Sequence, residues 1–384
     1  MKIVKAKVYV LKIPFNFSFA HSLKKRSCSD SIIIELTSDT GRRGYGEGIA
    51  RPYVTGETVN KSVKHIAQVL LPAIIHNDFS DIDTSQNPIV ALSCINNSIP
   101  DINSPGIIAW NASMTAVELA VIDCLLKHRE KSLNCVLPAK INRVTYSGVL
   151  SSCNIKQTVE LAKRFRQAGL KYIKMKVGKG NDRERISAVR DIVGSSVSIR
   201  LDANGAFNVK NAIQFIKSVE HYNIDSIEQP IKRGEAAELA AVKAGSPIPI
   251  MADESIVTID DAKRLMDHNA CDYFNLRVSK CGGIFRTLAI ADLCAQGGMK
   301  IQLGCQVGET AILSAAGRHV AAYLPQVRFV EGSYGALLLA EDISQEDITF
   351  GYGGEAPVLT DYGLGINIRE DLLQKYTDKT VCIL

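Results

Sequence analysis

The chain has 384 residues, of which 46% are hydrophobic, and carries a formal net charge of +5. That length suits two or three domains around a large core, and no apolar run reaches the ~18 residues of a membrane helix. The basic residues are dispersed apart from a short cluster at Lys24–Arg26, and the ten cysteines are scattered with no CxxC pair. A nucleic-acid face, a zinc site and a dithiol redox motif are therefore all excluded.

The opening MKIVKAKVYVLKIPF alternates apolar and polar residues, which predicts a strand, not a signal peptide, and hence a cytoplasmic protein. A second strand region covers SDSIIIELTSDTGRRGYGEG, with SDTG as a turn. The intervening PFNFSFAHSLKKRS reads as an aromatic and basic loop, too long for a simple turn. Helical spacing begins at Thr58, is interrupted by an unassigned polar stretch from about 78 to 105, and returns in SMTAVELAVIDCLLKHREKSL. Residues 1–135 thus form an α+β unit. The cysteines fall largely in apolar segments and read as buried reduced thiols.

From about Asn142 strands and helices alternate strictly. VTYSGVLSS, YIKMKVG, VSIRLDANG, SIEQP, IPIMADES, YFNLRVS, KIQLGCQVG and VRFVEGS are eight strands separated by amphipathic helices. This is the pattern of an α/β (β/α)8 TIM-type barrel over residues 136–340. The Gly-rich segment 341–384 is not another such unit and is expected to pack back on the first domain, completing a cap.

Charged residues recur once per repeat. Lys174, Asp202, Glu228, Asp253 and Lys280 are separated by 28, 26, 25 and 27 residues, each in or just after a strand. Catalytic groups of such barrels lie at the carboxyl ends of the strands. Asp202, Glu228 and Asp253 end three neighbouring strands, and three adjacent carboxylates resist ionisation unless a cation neutralises them. An all-oxygen set without His or Cys selects a hard metal, Mg2+, with Mn2+ as a substitute. Lys174 and Lys176, two apart on one strand, share the inner face. Lys280 comes from strand six, across the barrel axis. Lys174 and the metal are expected to lower the pKa of Lys176 so that it acts as a base. The chemistry implied is removal of a proton next to a carboxylate, through a metal-stabilised enediolate.

These residues resemble the enolase superfamily, specifically the muconate-lactonizing-enzyme subgroup of its mandelate racemase/muconate lactonizing enzyme family, where Lys bases work beside Mg2+. The matching pieces are KMKVG, LDANGAF, IEQP, MADES and NLRVSKCGG, with further likeness in VELAVIDCLLKHREKSL, YGALLLAEDI and DYGLGINI. The resemblance implies Asp202, Glu228 and Asp253 as metal ligands, Lys176 and Lys280 as an acid/base pair, and Lys174 as an electrostatic partner. It implies Asn204 and Glu254 as supports of the metal ligands. It also implies cap loops at Phe15–Arg26 and Arg51–Glu57, giving Phe19, His21, Arg26 and Tyr53 as substrate-binding candidates, with Glu309 and Glu331 from strands seven and eight. The expected partners are a small carboxylate substrate and further copies of the chain.

The tail YGALLLAEDI most resembles the cycloisomerases, so a muconate-cycloisomerase-like reaction is the first expectation. A racemase or epimerase of an amino-acid derivative or dipeptide comes next. Strand eight reads EGS where dipeptide epimerases carry paired aspartates. A succinylbenzoate synthase-type dehydratase is a further alternative. A non-catalytic barrel fits poorly with a complete set of carboxylates and lysines. An acid-sugar dehydratase lacks its His on strand seven.

Overall fold

The computed structural model describes residues 1–20, 25–83 and 87–383. The N-terminal region is built on β1 (Ile3–Leu11), β2 (Pro14–Ala20), β3 (Lys25–Cys28), β4 (Ile32–Ser38) and β5 (Arg43–Gly48). The segment 14–27, expected as a loop, instead contains an antiparallel pair, β2 with β3, in which Phe19 faces Arg26. Its Phe-rich alternation satisfies a strand, and the pairing satisfies backbone groups that a loop of that length leaves to water. The unassigned polar stretch contains a helix, Pro88–Asn97, capped by the Asn87 side chain.

Every second residue of β5 is glycine, and the reason is the Asn111–His128 helix lying on it. A Cβ at Gly46 would sit 2.0 Å from the Ala116 carbonyl oxygen, and one at Gly48 2.0 Å from that of Ala112. Without side chains there, the helix backbone rests directly on the strand, and sixteen of its residues are buried.

Short strands β6 (Arg143–Thr145) and β7 (Gly148–Leu150) follow, dividing the first predicted barrel strand in two. Next come β8 (Tyr172–Lys176), β9 (Ser198–Asp202), β10 (Ile224–Glu228), β11 (Ile250–Ala252), β12 (Tyr273–Leu276), β13 (Lys300–Leu303) and β14 (Val327–Val330). Strands β7 to β14 form one parallel sheet in chain order. The Ser147 N–H donates to the Val330 carbonyl at 2.8 Å and closes the sheet into a barrel. A helix of nine or more residues follows each of the first seven barrel strands; the eighth is followed by the single turn Gly335–Leu338. Predicted helix signals are met at Asn154, whose side chain accepts from the Gln157 N–H, and at Gly169, which leaves the helix at φ +68°.

The C-terminal segment contributes β15 (Glu355–Pro357), paired with β6, and β16 (Thr377–Ile383). The latter pairs antiparallel with β1, giving a four-stranded sheet in the order β16-β1-β4-β5. All ten cysteines are unpaired. Cys124, Cys271, Cys281 and Cys294 are buried, whereas Cys94, Cys135 and Cys382 are exposed, contrary to expectation. Cys94 lies in the Pro88–Asn97 helix, Cys135 ends the turn Leu133–Cys135 and Cys382 lies in β16, each on the side of its segment turned to solvent.

Candidate active site

Strand register sets the site. Lys176 is the neighbour of Asp202, and Asp202 of Glu228, so three adjacent strands present these groups in one row. Asp253 follows the end of β11, next in the sheet. The backbone turns sharply just beyond, with positive φ at Asn204 (43°), Gln229 (39°) and Ser333 (53°). These are strained positions for residues other than glycine, held by the surrounding bonds. Gln229 accepts from the Asp253 and Ser255 N–H groups and thereby ties the β11 loop to β10.

All the carboxylates are buried, and cations hold them. Lys176 Nζ donates to Asp202 Oδ2 at 2.6 Å and to Asn204 Oδ1 at 2.8 Å. Lys280 Nζ donates to Asp253 Oδ1 at 2.8 Å and to the carbonyls of Asp253 and Asn275. Lys280 is not on strand six itself but on the one-turn helix Val278–Cys281 just after it, because β12 ends at Leu276. Arg277 bonds Asp253 Oδ2 and lies 3.5 Å from Glu228 Oε1. Glu228 also accepts from Asn275 at 2.8 Å and Gln302 at 3.1 Å.

Lys174 lies one level deeper, with Nζ 2.5 Å from Glu331 Oε2, 3.3 Å from Glu228 Oε2 and 3.4 Å from Asp202 Oδ2. Burial lowers its pKa, but Glu228, Glu331 and Asp202 outweigh burial and hold the ammonium well above its usual range. Burial likewise pushes Glu228 up, yet Lys174 and Arg277 reverse this and hold it low. For Asp202, burial and the charge of Glu228 prevail over Lys176, and its pKa is raised. Glu254 accepts from Asn204 at 3.0 Å, while its buried Oε2 has no hydrogen-bond partner among the described residues. Burial and the charges of Asp253 and Asp202 push it up to about 7.

Among the described residues, no three His, Cys, Asp or Glu side chains converge on an ion site as they stand, because lysines and Arg277 take the carboxylate oxygens. The donor set nevertheless fits a hard divalent cation. Three buried carboxylates end adjacent strands, the orphaned Glu254 oxygen sits beside them, and Arg277 already spans two of them as a cation.

A cavity of about 1540 Å3 opens above this row, lined by Lys174, Lys176, Asn204, Glu254, Glu309 and Glu331 and walled by Phe17 and Tyr53. Burial pushes the Glu309 carboxyl up to about 8. Arg26 is not on the cavity wall. It bonds Asp30 at 2.7 Å, as does Arg51, which makes it an internal ion pair of the N-terminal region. The backbone of Phe19 is in β2, while His21 and Lys24 lie outside the described residues.

Sequence reasoning missed Arg200, Asn275, Arg277 and Gln302, all buried in the barrel interior. Tyr273, Asn275 and Arg277 alternate along YFNLR, and that period-two pattern was the available signal.

Residues 157–372 match the family described as enolase C-terminal domain-like. The N-succinyl-L-Arg/Lys racemase of Bacillus cereus is 31% identical over 98% of this chain and 98% of its own. Its crystal structure superposes with a TM-score of 0.89 over 100% of both chains. The dipeptide epimerase of Cytophaga hutchinsonii, solved with Mg and D-Ala-L-Val, gives a TM-score of 0.87 at 27% identity over 100% of both chains. The 2-chloromuconate cycloisomerase of Rhodococcus opacus gives 0.88 at 22% identity over 99% of this chain and 100% of its own, a likeness of fold alone.

Proposed function

The chain belongs to the enolase superfamily, and from that premise we propose that it is a Mg2+-dependent racemase or epimerase acting on an N-acylated amino acid. The observation that carries this reading is the pair of lysines on opposite sides of the barrel. Lys176 ends the second strand and Lys280 follows the sixth, four places away in an eight-stranded ring. A planar carbon held between them can lose a proton to one and regain it from the other, which inverts the centre. The sequence put a cycloisomerase first; its neighbour among solved structures shares the fold alone, whereas the racemase relative spans nearly the whole chain.

In this reading Asp202, Glu228 and Asp253 hold Mg2+, with Mn2+ as a substitute. The bound ion supplies positive charge next to the substrate carboxylate and so lowers the cost of the charge that develops there. Acting as the base, Lys176 takes the α-proton on one face: the C–H bond breaks, an N–H bond forms, and the electron pair moves toward the carboxylate. The Lys280 ammonium returns a proton to the opposite face. For the other enantiomer the two exchange roles. Lys174 keeps its charge because of Glu331 and Glu228 and adds positive potential beneath the carboxylate row.

An N-acyl group is favoured over a free ammonium by Glu331. Its two oxygens are taken separately, one by Lys174 and the other by Arg200 at 3.1 Å. A dipeptide is the second reading, supported by the epimerase relatives. The division into a cap of 1–135 with 341–384 over a barrel of 136–340, a homo-oligomeric state and a cytoplasmic location belong to the same proposal.

The test is incubation in D2O with Mg2+ and each enantiomer of N-succinyl-arginine, N-succinyl-lysine, a dipeptide panel and muconate, read by NMR and polarimetry. Exchange of the α-proton with inversion is expected for an N-succinyl amino acid. Lactone chemistry on muconate without any such exchange overturns the reading.

A further inference from the structure

The Asn111–His128 helix has a second contact besides its seat on β5. Asn111, Thr115 and Glu118, spaced by four and three, form one stripe of the helix, and all three reach the turn that carries Lys280. Asn111 Nδ2 donates to the Lys280 carbonyl at 2.6 Å and to the Val257 carbonyl at 2.9 Å. Thr115 Oγ1, which donates to the Asn111 carbonyl of its own helix at 2.7 Å, also lies 3.2 Å from the Val278 carbonyl and can share its proton with it. Glu118 accepts from the N–H groups of Ile284 and Phe285, at the start of the next barrel helix. The turn is thus gripped before, at and after Lys280.

Two glycines permit this approach. Gly282 and Gly283 adopt φ +94° and +109°. A Cβ on the first would meet Asn111 Oδ1 at 2.7 Å, and one on the second would meet Glu118 Oε2 at 2.1 Å. The contact is dry and close, with Asn111, Thr115 and Glu118 all at most 1% exposed. Lys176 is held quite differently. Its carbonyl accepts from Arg185 at 2.9 Å, and Arg185 belongs to a helix of the barrel itself.

We infer that Asn111, supported by Thr115 and Glu118, is a positioning residue for Lys280, so that the two lysines are held by separate parts of the molecule. The inference rests on the proposed two-lysine reaction. It adds that the N-terminal helix governs proton transfer on one face of the substrate only. Shifting the Lys280 main chain moves Nζ away from the reacting carbon, and a displacement of about 1 Å costs of the order of a hundredfold in rate. Among the described residues, Lys176 itself is held by Asp202, Asn204 and Arg185, none of them in this stripe.

Enantiomer-resolved exchange in D2O tests this, using N-succinyl-L-arginine and N-succinyl-D-arginine with the Mg2+-loaded full chain. Lys280→Ala first identifies which enantiomer depends on Lys280. Asn111→Ala is expected to slow exchange of that enantiomer about tenfold to a hundredfold and to leave the other little changed. Thr115→Val, a milder change, is expected to show the same asymmetry to a smaller degree and replaces Asn111→Ala if that variant does not fold. Equal slowing of both enantiomers, or of neither, overturns the inference. If the wild type exchanges neither enantiomer, the proposed reaction fails instead. The positioning claim is then decided by a crystal structure of either variant. Displacement of Lys280 Nζ from the Asp253 and Asn275 carbonyls is expected there, and an unmoved Nζ overturns the claim.

Discussion

Lys174 and Glu331 are 157 positions apart in sequence and 2.5 Å apart in the barrel interior. Lys174 stands on β8 and Glu331 just past β14, the two strands that flank β7 where the barrel closes. Arg200 takes the other oxygen of Glu331, so one carboxylate balances two buried cations. Glu331→Gln removes that balance and is expected to cost about 3–5 kcal/mol in urea unfolding. Adding Lys174→Met is expected to recover part of the loss, as a double-mutant cycle would measure.

Metal removal is expected to leave the fold standing, because Lys176, Lys280 and Arg277 neutralise the carboxylates without it. Treatment with EDTA should abolish α-proton exchange with circular dichroism unchanged, and Mg2+ or Mn2+ should restore it. Asp253→Asn should weaken Mg2+ binding by calorimetry at least about tenfold to a hundredfold. Unchanged affinity would remove Asp253 from the ligand set.

His319 sets a pH dependence that can be isolated. It is buried, with Nδ1 3.0 Å from Asn134 Oδ1 and Nε2 3.1 Å from the Leu364 carbonyl, two acceptors of which the neutral ring donates to one, and burial depresses its pKa from 6.5 to about 4. Between those values the unfolded chain binds a proton that the folded chain refuses. The stabilisation present above pH 6.5 is therefore lost as pH falls towards 4. Relative to His319→Gln, the wild type should lose about 3 kcal/mol at most across that window, read from urea midpoints at each pH. A difference independent of pH would show that the imidazole titrates normally.

Gly46→Ala should be severe for so small a change. The added methyl meets the Ala116 carbonyl oxygen, which belongs to helix backbone and cannot rotate away. Lifting the helix from β5 is expected to cost about 3 kcal/mol or more, measured by thermal or urea unfolding. Gly41→Ala, where a Cβ has open space but φ is +78°, serves as a comparison that carries backbone strain alone.

Much of the barrel was legible because its signals are local. Helix caps such as Asn154 and the once-per-repeat charges from Lys174 to Lys280 depend on residues close in sequence. The row formed by Lys176, Asp202 and Glu228 then follows from parallel register alone. What was not legible depends on where strands stop and how short segments pair and pack. The pairing of β2 with β3 was hidden because 14–27 reads as a single aromatic and basic stretch, and the strand expected to run to Ser279 stops at Leu276, leaving Lys280 on the turn beyond it. Arg26 looked like a substrate contact because its segment reads as a cap loop, whereas its side chain pairs with Asp30 only four residues on. Of the expected reactions, the racemase or epimerase placed second is better supported by the relatives than the cycloisomerase placed first. Tail residues Tyr334, Leu337 and Leu338 line the same cavity as Lys174 and Lys176, but it is the opposed placement of Lys176 and Lys280 that bears on the chemistry.

The pairing of β16 with β1 places Ala6 opposite Ile383. During synthesis β1 leaves the ribosome early, but its partner emerges only after the whole barrel has been made. Until then one edge of a strand rich in Val, Ile and Leu stays open to other chains. Yield of the recombinant protein should therefore depend on how well that edge is shielded during translation, through chaperones or lower temperature, more than on the stability of the finished barrel.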